Sequence, residues 1–518
     1  MTAPAVSIMQ CVLMMQDFVV DSIAAFFDRF LAPLSVFLSN IFIMFVGLIL
    51  LIGVILYVID IFQTTHAIRR NYPLIGRFRY LFERLGEFFR QYFFAMDREE
   101  MPFNRAQRSW VYRAAKNLEN AQAFGSTYDI SKPGNILFIN SPYPVLTEEK
   151  TDIKPIIFGP YCEKPYSTNS IFNISGMSYG AISKPAVRAL SRGAAKAGCW
   201  LNTGEGGLSE WHLEGGCDVV FQVGTANYGI RDSNGHFSDE KLRIVASHEQ
   251  VKMIEIKLSQ GAKPGKGGIL PGAKVTEEIA KIRLIPVGQT SNSPNRHLDI
   301  TNDEQLLDKL NHIRIISGKP VGFKTVIGDG AWLDQLFSMV KQRGLEYAPD
   351  FITVDSGDGG TGAAPLTLID DMGLDIQETL PLLVDKLVEH GLRDRIKVIA
   401  SGKLINPADV AWALCAGADC VVSARGFMFS LGCIQAMQCD KNTCPTGITT
   451  HNPGLQRGLV VKDKSKRVAN YQKNMLKELY IIANSCGVTN PGLLNRKHAR
   501  LIVQSNKSIS LEELYRRR

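Results

Sequence analysis

Three cysteines, Cys433, Cys439 and Cys444, lie in one short segment and could bind an iron-sulfur cluster through their thiolates. Three thiolates on a turn-rich loop can hold three irons, so the missing fourth cysteine favours a 3Fe-4S cluster. Pro445 follows the last cysteine and keeps the segment from continuing as a helix. Two alternatives are a zinc site, which needs a fourth ligand such as His451, and thiols that only pack in a core. The spacing favours the cluster and predicts a protein that transfers electrons.

Glycine-rich turns at residues 355–363, 398–402 and 421–426 could hold a phosphate group. In a (β/α)8 barrel the loops after strands seven and eight often bind a cofactor phosphate through backbone N–H groups. Any one of these turns is explained equally well by tight loop geometry. The chain has no Gly-x-Gly-x-x-Gly after an early strand and no Walker-type Gly-Lys-Ser/Thr. A separate dinucleotide-binding domain is therefore not predicted.

Short β-rich runs alternate with helical segments beyond about residue 150, and these elements would position the glycine-rich turns. Seven such runs occur at residues 172–177, 219–224, 253–259, 321–328, 351–357, 396–402 and 420–426. This alternation is typical of parallel strands joined by crossover helices. We therefore predict an α/β fold, a (β/α)8 TIM barrel, whose active site lies at the C-terminal ends of the strands.

Motifs in the same region resemble the synthase domain of glutamate synthase, the FMN and iron-sulfur enzyme that makes glutamate from 2-oxoglutarate. In order they are Gly-Met-Ser-Tyr-Gly-Ala (176–181), Asn-Thr-Gly-Glu-Gly-Gly (202–207), Gln-Gly-Ala-Lys-Pro-Gly-Lys-Gly-Gly (260–268), Leu-Pro-Gly (270–272), Gly-Asp-Gly-Gly-Thr-Gly (357–362) and the cysteine triplet. The resemblance runs from about residue 176 to residue 454. It implies FMN at the C-terminal mouth of the barrel and a 3Fe-4S cluster on the three cysteines.

The resemblance also implies the cofactor-binding residues. Near the isoalloxazine ring it places Met177, Ser178, Gln222 and Lys324. Around the ribityl phosphate it places Gly359, Gly360, Gly402, Ala424 and Arg425, and Thr361 lies in the same cofactor-binding loop. Lys324 has a physical rationale of its own, because a lysine beside the N1–C2 edge of a flavin stabilises the anionic reduced ring. The alternative for Lys324 is a solvated charge at a strand end.

For the 2-oxoglutarate pocket, the resemblance implies Glu205, Lys263 and Arg283, which join Lys324 as candidate catalytic residues. Cations suit the two carboxylates of a 2-oxo diacid, and arginine can bind one of them bidentately. Ile269 stands where the family has a glutamine, and residues 293–300 differ from the family's proline- and histidine-rich stretch. Both departures concern the substrate and not the cofactors.

The activity implied is that of a glutamate synthase-like oxidoreductase acting on CH-NH2 donors. It would aminate a 2-oxo acid reductively, most simply 2-oxoglutarate to L-glutamate, with hydride from reduced FMN. We expect neither a glutaminase domain nor a C-terminal β-helix domain, so ammonia or an amine would come from solution or from another subunit. Ferredoxin or a separate reductase would supply electrons through the cluster. The alternatives are an enzyme of the same fold acting on an alkylamine or another 2-oxo acid, in either direction, and a membrane-tethered electron-transfer subunit without turnover.

Residues 41–59 contain no charge and approach the length that crosses the ~30 Å hydrocarbon core. Three aspartates and one arginine precede this segment, and four arginines follow it between residues 69 and 79. The positive-inside rule then predicts a membrane-anchored protein with its catalytic domain in the cytoplasm. Residues 1–28 contain no Lys or Arg, which is not typical of a cleaved signal peptide. Residues 5–38 are also apolar, but Asp17, Asp21 and Asp28 interrupt them, which favours an amphipathic helix lying against the bilayer. One span is therefore predicted, and two spans are the alternative.

The net charge of +8 over 518 residues is modest. Basic clusters at residues 69–70 and 516–518 favour a lipid bilayer surface and not nucleic acid. Ten cysteines in a chain of this length do not form a disulfide framework, so the catalytic part belongs in a reducing compartment. The predicted domains are a membrane anchor (1–65), a basic and aromatic linker that caps the barrel (66–150), the barrel (151–485) with its cluster loop (433–444), and a helical tail (486–518).

Overall fold

The structure is a computed structural model that describes residues 8–516. The chain divides into two compact units, residues 1–100 and residues 101–518. Within the predicted basic cluster at the C-terminus, Arg517 and Arg518 lie outside the described residues, as does the start of the apolar stretch 5–38.

The described part of the first unit is helical. Its α-helices are Ile8–Phe26, Ala32–Phe62, Ala67–Asn71 and Ile75–Phe89, and its π-helical turns are Phe27–Leu31 and Arg90–Phe94. Val12–Phe62 forms one helix of 51 residues that is long and apolar enough to cross a membrane, a test that a signal sequence also meets. At 1.5 Å per residue this helix extends about 76 Å, so only part of it fits a ~30 Å hydrocarbon core. It includes the predicted span, residues 41–59.

A buried ion pair fixes the end of this long helix to the basic segment that follows it. Both carboxylate oxygens of Asp60 accept hydrogen bonds from the guanidinium of Arg77, each at 2.8 Å. The backbone N–H of Leu74 donates a third hydrogen bond at 3.1 Å. Arg77 is one of the four arginines that follow the predicted span, so the described turn holds one of these charges in a defined place.

The second unit contains a closed barrel of eight parallel strands, which confirms the predicted α/β TIM-barrel fold. In chain order the strands are β1 Phe172–Ile174, β2 Leu201–Asn202, β3 Val219–Val223, β4 Val251–Lys257, β5 Val321–Thr325, β6 Phe351–Asp355, β7 Lys397–Ser401 and β8 Cys420–Ser423. Seven of the eight overlap the predicted runs. The sequence did not reveal β2, because two residues are too few to show a period.

Helices follow the strands and form the outer layer of the barrel. They are Lys184–Ala197, Glu210–Leu213, Glu277–Arg283, Asp239–Ser247, Asp303–Ser317, Ala331–Arg343, Leu366–Asp371, Ile376–Glu389, Pro407–Ala416, Arg425–Leu431, Pro453–Gln456 and Val461–Ser485. Single turns of 3-10 helix occur at Thr147–Glu149, Gly272–Lys274, Leu345–Tyr347, Pro491–Leu493 and Arg496–His498. The longest of these helices, Val461–Ser485, approaches Lys184–Ala197 closely at Gly193, where a Cβ would lie 2.4 Å from Val468.

Short antiparallel hairpins lie at the two ends of the barrel. Ile156–Phe158 pairs with Tyr166–Thr168 at the N-terminal end, where Phe158 meets Trp200 and Phe351 edge to face. At the other end the long loop after β4 contains a second hairpin, Ile269–Leu270 with Ser291–Asn292. The apolar hairpin makes the N-terminal end a packed core, so the chemistry is confined to the C-terminal end.

Two of the predicted segments contain elements that the sequence did not indicate. Within residues 66–150, the helix Arg105–Ala115 packs on helices at the side of the barrel, whereas the hairpin of residues 156–168 closes its end. In the tail 486–518, Ala499–Gln504 pairs with Lys507–Ser510 and with Ile136–Phe138 in a three-stranded sheet, and the helix Leu511–Arg516 follows. A local sequence pattern cannot reveal that distant third strand.

Candidate active site

A cavity of about 520 Å³ opens at the C-terminal ends of the barrel strands. Six of the predicted cofactor residues line it: Gln222, Lys324, Gly360, Gly402, Ala424 and Arg425. Met177, Ser178 and Thr361 line an adjoining cavity of about 950 Å³, which shares Gly360, Ala424 and Arg425 with the first. Gly359 lies in the same loop as Gly360 but packs against Gly261. We call these spaces the inner cavity and the outer cavity.

Lys324 ends near the inner cavity as a buried, ion-paired cation. It lies on β5, and its Nζ is 3.0 Å from Oδ2 of Asp355 at the end of β6. Burial alone would lower the pKa of Lys324, but the carboxylates of Asp355 and Glu255 outweigh burial and raise it. Lys324 therefore keeps its positive charge beside the cavity at neutral pH.

A buried carboxylate inside the barrel fixes the orientation of Gln222. Glu255 on β4 accepts hydrogen bonds from Gln222 Nε2 at 2.7 Å, Asn202 Nδ2 at 2.9 Å and Thr353 Oγ1 at 2.6 Å. These three donors come from β3, β2 and β6 respectively. Because every donor is held by a different strand, the barrel itself determines where the Gln222 amide points.

At the other end of the inner cavity, Gly360 and Gly402 lie where a larger residue would contact neighbouring atoms. A Cβ on Gly402, whose φ is +119°, would lie 2.3 Å from Ser356, and a Cβ on Gly360 would lie 3.1 Å from Nε of Arg425. Arg425 also donates a hydrogen bond to the carbonyl of Thr361. Exposed backbone N–H groups and the half-buried guanidinium of Arg425 suit a phosphate, while Gln222 and Lys324 suit the polar edge of a flavin. The residues present therefore fit FMN.

The outer cavity brings together the three predicted substrate residues, Glu205, Lys263 and Arg283, with Ile269 at its wall. A fourth residue, Lys257, which the sequence prediction missed, lies at the end of β4 with its Nζ 2.9 Å from Oε1 of Glu205. All four ionisable side chains are largely buried.

The charges of this group do not balance within the protein. Burial would raise the pKa of Glu205, but Lys257 and Lys263 outweigh burial and lower it to about 2. Burial and the charge of Lys257 lower the pKa of Lys263 to about 8, against the opposing effect of Glu205. Within the described part of the chain, neither Lys263 nor Arg283 forms an ion pair. Three cations thus face one carboxylate, which leaves an excess of two positive charges in a buried pocket.

Arg283 contributes most directly to this excess of positive charge, because its guanidinium is buried beside neutral groups. Its Nη2 donates to the carbonyl of Tyr179 at 3.1 Å, its Cζ lies 5.1 Å from the ring centroid of Tyr228, and its Nε has no hydrogen-bond partner among the described residues. Burial lowers the pKa of Arg283. A buried cation of this kind is stabilised by an anionic ligand.

The three cysteines lie in an irregular loop, residues 432–452, beside the outer cavity, and contacts from outside hold this loop in place. Tyr112 Oη donates to the carbonyl of Cys433 at 2.6 Å, and Lys274 Nζ donates to the carbonyl of Cys439 at 2.7 Å. Arg425 Nη1 lies 3.6 Å from Sγ of Cys439. The loop is therefore fixed to the same barrel mouth as the two cavities.

The structure favours no single-ion site at these cysteines. Over residues 8–516 no group of three or more His, Cys, Asp or Glu side chains is placed to hold one metal ion. His451, the fourth zinc ligand considered, instead has its Nε2 2.8 Å from the carbonyl of Gly180. Burial would raise the pKa of Cys444, but hydrogen bonds with Thr446 and Thr449 outweigh it and lower the pKa to about 7. The nine cysteines described with their side chains are all free thiols.

A family model described as the conserved region in glutamate synthase matches residues 137–489. The chain belongs to the glutamate synthase family. The matched residues span the whole barrel and the cysteine loop. Membership of this family identifies the protein as a glutamate synthase-type oxidoreductase and supports FMN as the group bound at the barrel mouth.

Relatives in the glutamate synthase family cover the chain to different extents. The glutamate synthase large subunit-like protein YerD of Bacillus subtilis is 39% identical over 89% of this chain and 94% of that protein. An archaeal-type glutamate synthase [NADPH] of Thermotoga is 34% identical over 61% of this chain and 59% of that enzyme. The chain thus spans about three fifths of the archaeal-type enzyme's length.

Solved structures with a similar barrel are more distant. A flavocytochrome b2 mutant with pyruvate bound matches at a TM-score of 0.45 and 13% identity, over 78% of this chain and 85% of that one. A mandelate oxidase matches at a TM-score of 0.42 and 15% identity, over 76% of this chain and 98% of that one.

Within this glutamate synthase-type barrel, sequence reasoning missed four charged residues. Lys257, Glu255 and Asp355 lie at or near strand ends, and Lys274 lies in the loop after β4. For the three strand residues the sequence did carry a signal, namely a lysine or carboxylate shortly before a glycine-rich turn, which predicts a side chain at the mouth of the barrel. Lys274 gave no such signal, because its contact with Cys439 joins segments far apart in the chain.

Proposed function

We propose that this protein aminates a 2-oxo dicarboxylic acid reductively, most simply converting 2-oxoglutarate and ammonia to L-glutamate. The observation that carries the proposal is the pair of buried cations, Lys263 and Arg283, that have no ion-pair partner among the described residues. A dianionic substrate supplies the two negative charges that this pocket lacks.

Each pocket residue then has a distinct task. Arg283 binds one substrate carboxylate and Lys263 the other, which fixes the 2-oxo carbon between them. Glu205 stays ionised because Lys257 is held against it, so its carboxylate accepts hydrogen bonds from the incoming ammonia and the amino product. Lys257 is in this scheme a positioning residue that acts through Glu205.

FMN in the inner cavity would supply the hydride that reduces the substrate imine. Lys324 and Gln222 would hold the polar edge of its ring, and Gly360, Gly402 and Arg425 would hold its phosphate. Lys324 keeps a positive charge there, and that charge favours an anionic ring.

Cys433, Cys439 and Cys444 would hold a 3Fe-4S cluster through which electrons enter. A cluster needs its thiolates further apart than a single ion does, because each thiolate binds a different iron. The lowered pKa of Cys444 favours the thiolate form that ligation requires. The sheets of the described residues are one barrel and three small antiparallel sheets, so no doubly wound dinucleotide domain is among them. Ferredoxin or a separate reductase is the electron donor in this proposal.

The first test is made on full-length protein purified in detergent under anaerobic conditions. We expect bound flavin and iron, and glutamate formed from 2-oxoglutarate and ammonia in proportion to an artificial reductant. In Arg283→Met, glutamate formation should fall by at least a hundredfold while the flavin content stays that of the wild type, whereas Arg243→Met, on an outer helix, should change neither. Bound flavin and iron without glutamate would contradict the proposed substrate.

A second candidate function keeps the chemistry and changes the substrate. Ile269 lines the outer cavity with 43% of its surface exposed, where the family has a glutamine. A hydrocarbon at that wall favours a 2-oxo acid or amine with an apolar portion. Product formation from a panel of 2-oxo acids and alkylamines distinguishes this candidate from the first.

We further propose that the long apolar helix anchors the protein in a lipid bilayer, with the catalytic unit in the cytoplasm. Support comes from the length and composition of Val12–Phe62 and from the arginines that follow it.

A further inference from the structure

Lys274 is a fully buried lysine that the proposed reaction does not use. It lies at the end of the single turn Gly272–Lys274 with 1% of its surface exposed. In the described part of the protein it forms no ion pair with a carboxylate. A buried ammonium without a counter-charge is strongly unfavourable, so a negative group is expected next to it.

The contacts of Lys274 point toward the cysteine loop. Its Nζ donates to the carbonyl of Cys439 at 2.7 Å and approaches the carbonyl of Ala181 at 3.4 Å. Both partners are neutral and leave the charge uncompensated. The ionisable groups that act on Lys274 through space are Cys439, Asp440 and Cys444, of which the two cysteines are free thiols in this structure.

Arg425 is a second cation that contacts the cysteine loop. Its Nη1 lies 3.6 Å from Sγ of Cys439 and 3.4 Å from Sδ of Met428, and it too lacks a carboxylate partner among the described residues. The groups that act on its charge are Cys439, Cys433 and Cys444. A buried lysine and a half-buried arginine from separate elements thus converge on one segment with three thiols.

The charge of the proposed cluster is opposite in sign to that of these two cations. Three ferric ions, four sulfides and three thiolates leave a net charge of minus two, and one-electron reduction adds one further negative charge. Hydrogen bonds and net charge around the sulfurs are known determinants of cluster potential. A cation held near the cluster therefore stabilises the reduced form more than the oxidised form.

We infer that Lys274 and Arg425 are the counter-charges of the iron-sulfur cluster, and that Lys274 raises its reduction potential. This inference rests on the proposed function, because it needs the cluster on Cys433, Cys439 and Cys444. Lys274 is a positioning residue for the loop through the Cys439 carbonyl and an electrostatic partner of the cluster. Arg425 is also an electrostatic partner of the cluster, but it lines the inner cavity as well, so its substitution would affect FMN binding too. Lys274 therefore gives the more specific test.

The experiment is an anaerobic redox titration of full-length protein in detergent, followed by electron paramagnetic resonance, together with iron, sulfide and flavin content. Lys274→Met removes the charge and nearly keeps the side-chain volume. We expect it to shift the midpoint potential of the cluster to a lower value while the flavin content is unchanged. Lys281→Met, a neutralised lysine exposed on the helix Glu277–Arg283, should leave the potential at the wild-type value.

The outcomes separate the inference from the proposed function. A Lys274→Met protein with full iron and a wild-type potential overturns the inference. Loss of iron in Lys274→Met that Lys274→Arg restores supports it, whereas loss of iron in both variants overturns it, because charge is then not the decisive property. Wild-type protein that binds flavin but contains no iron and sulfide overturns the proposed cluster, before any variant is compared.

Discussion

The division of charge among Lys257, Glu205 and Lys263 is the main feature of the site at the residue scale. Lys257 compensates Glu205 directly, which leaves Lys263 with a pKa lowered to about 8 by burial and by Lys257. Lys263 is therefore protonated at neutral pH and loses its charge as the pH rises through 8. A substrate carboxylate that depends on this charge is bound only below that pH.

We expect kcat/KM for the 2-oxo acid, measured at saturating ammonia, to fall as the pH rises above about 8. This parameter reports ionisations of the free enzyme. In Lys263→Arg the guanidinium stays protonated, so the fall should be absent up to about pH 10. Lys266→Arg, at an exposed neighbour, should keep the wild-type profile. An unchanged profile in Lys263→Arg would show that another group is responsible.

Ile269 tests the identity of the substrate. If 2-oxoglutarate is the substrate, Ile269→Gln adds a hydrogen bond to a charged group, worth about 1.5 kcal/mol or more. KM for 2-oxoglutarate should then fall about tenfold. Ile315→Gln, at a site with 73% of its side chain exposed on an outer helix, is the matched control. A KM that rises in Ile269→Gln would favour the apolar substrate instead.

At the element scale, the cysteine loop depends on an element far away in the chain. Tyr112, on the helix Arg105–Ala115, donates to the carbonyl of Cys433 at 2.6 Å. Tyr112→Phe keeps the ring that meets Phe429 edge to face but removes this hydrogen bond. We expect loss of iron to a chelator to be about fivefold faster, because such a bond contributes about 1 kcal/mol. Tyr480→Phe removes a comparable bond to Thr151 and should not change the rate.

The loop after β6 gives a second test at this scale. A Cβ on Gly360 would lie 3.1 Å from Nε of Arg425, so the guanidinium must move. Crowding of this kind costs about 1–3 kcal/mol, and we expect Gly360→Ala to bind FMN about fivefold more weakly or worse. Gly328→Ala, where a Cβ meets nothing within 4 Å, should bind FMN normally. Equal FMN affinities in a fluorescence titration would exclude a role for this loop in cofactor binding.

The elements differ in how far the sequence could predict them. Strands such as Val219–Val223 and Phe351–Asp355 were predictable because buried parallel strands form continuous apolar runs between glycine-rich turns. Leu201–Asn202 was not, since its only evidence is its pairing with neighbouring strands. Ala499–Gln504 was missed for the same reason, because its partner Ile136–Phe138 lies at the other end of the unit.

The same limit applies within the site. Glu205, Lys263 and Arg283 could be predicted through the motifs of the family, and the fold brings them together. Lys257 and Lys274 were missed because their roles depend on partners, Glu205 and Cys439, that folding supplies. Sequence patterns therefore indicate which groups can react, whereas charge compensation appears only once distant segments are in contact.

At the scale of the whole molecule, the long apolar helix and the barrel belong to separate compact units with different solvent requirements. The helix Val12–Phe62 exposes most of its large apolar side chains, whereas residues 101–518 have a continuous buried core of their own. Exposed apolar surface of this extent is stable in hydrocarbon and not in water. We therefore expect the full-length chain to sediment with membranes and to be released by detergent.

A series of deletions can assign membrane association to one segment. Removing residues 1–100 should yield a soluble protein that retains its FMN, because the described residues that line the inner cavity all belong to the second unit. Removing only residues 1–40 leaves the uncharged stretch 41–59 in place and should keep the protein in the membrane fraction if one span is sufficient. A protein that becomes soluble on the shorter deletion would assign the anchor to residues 1–40. Full-length protein found in the soluble fraction would contradict membrane anchoring altogether, and the barrel chemistry would then stand without it.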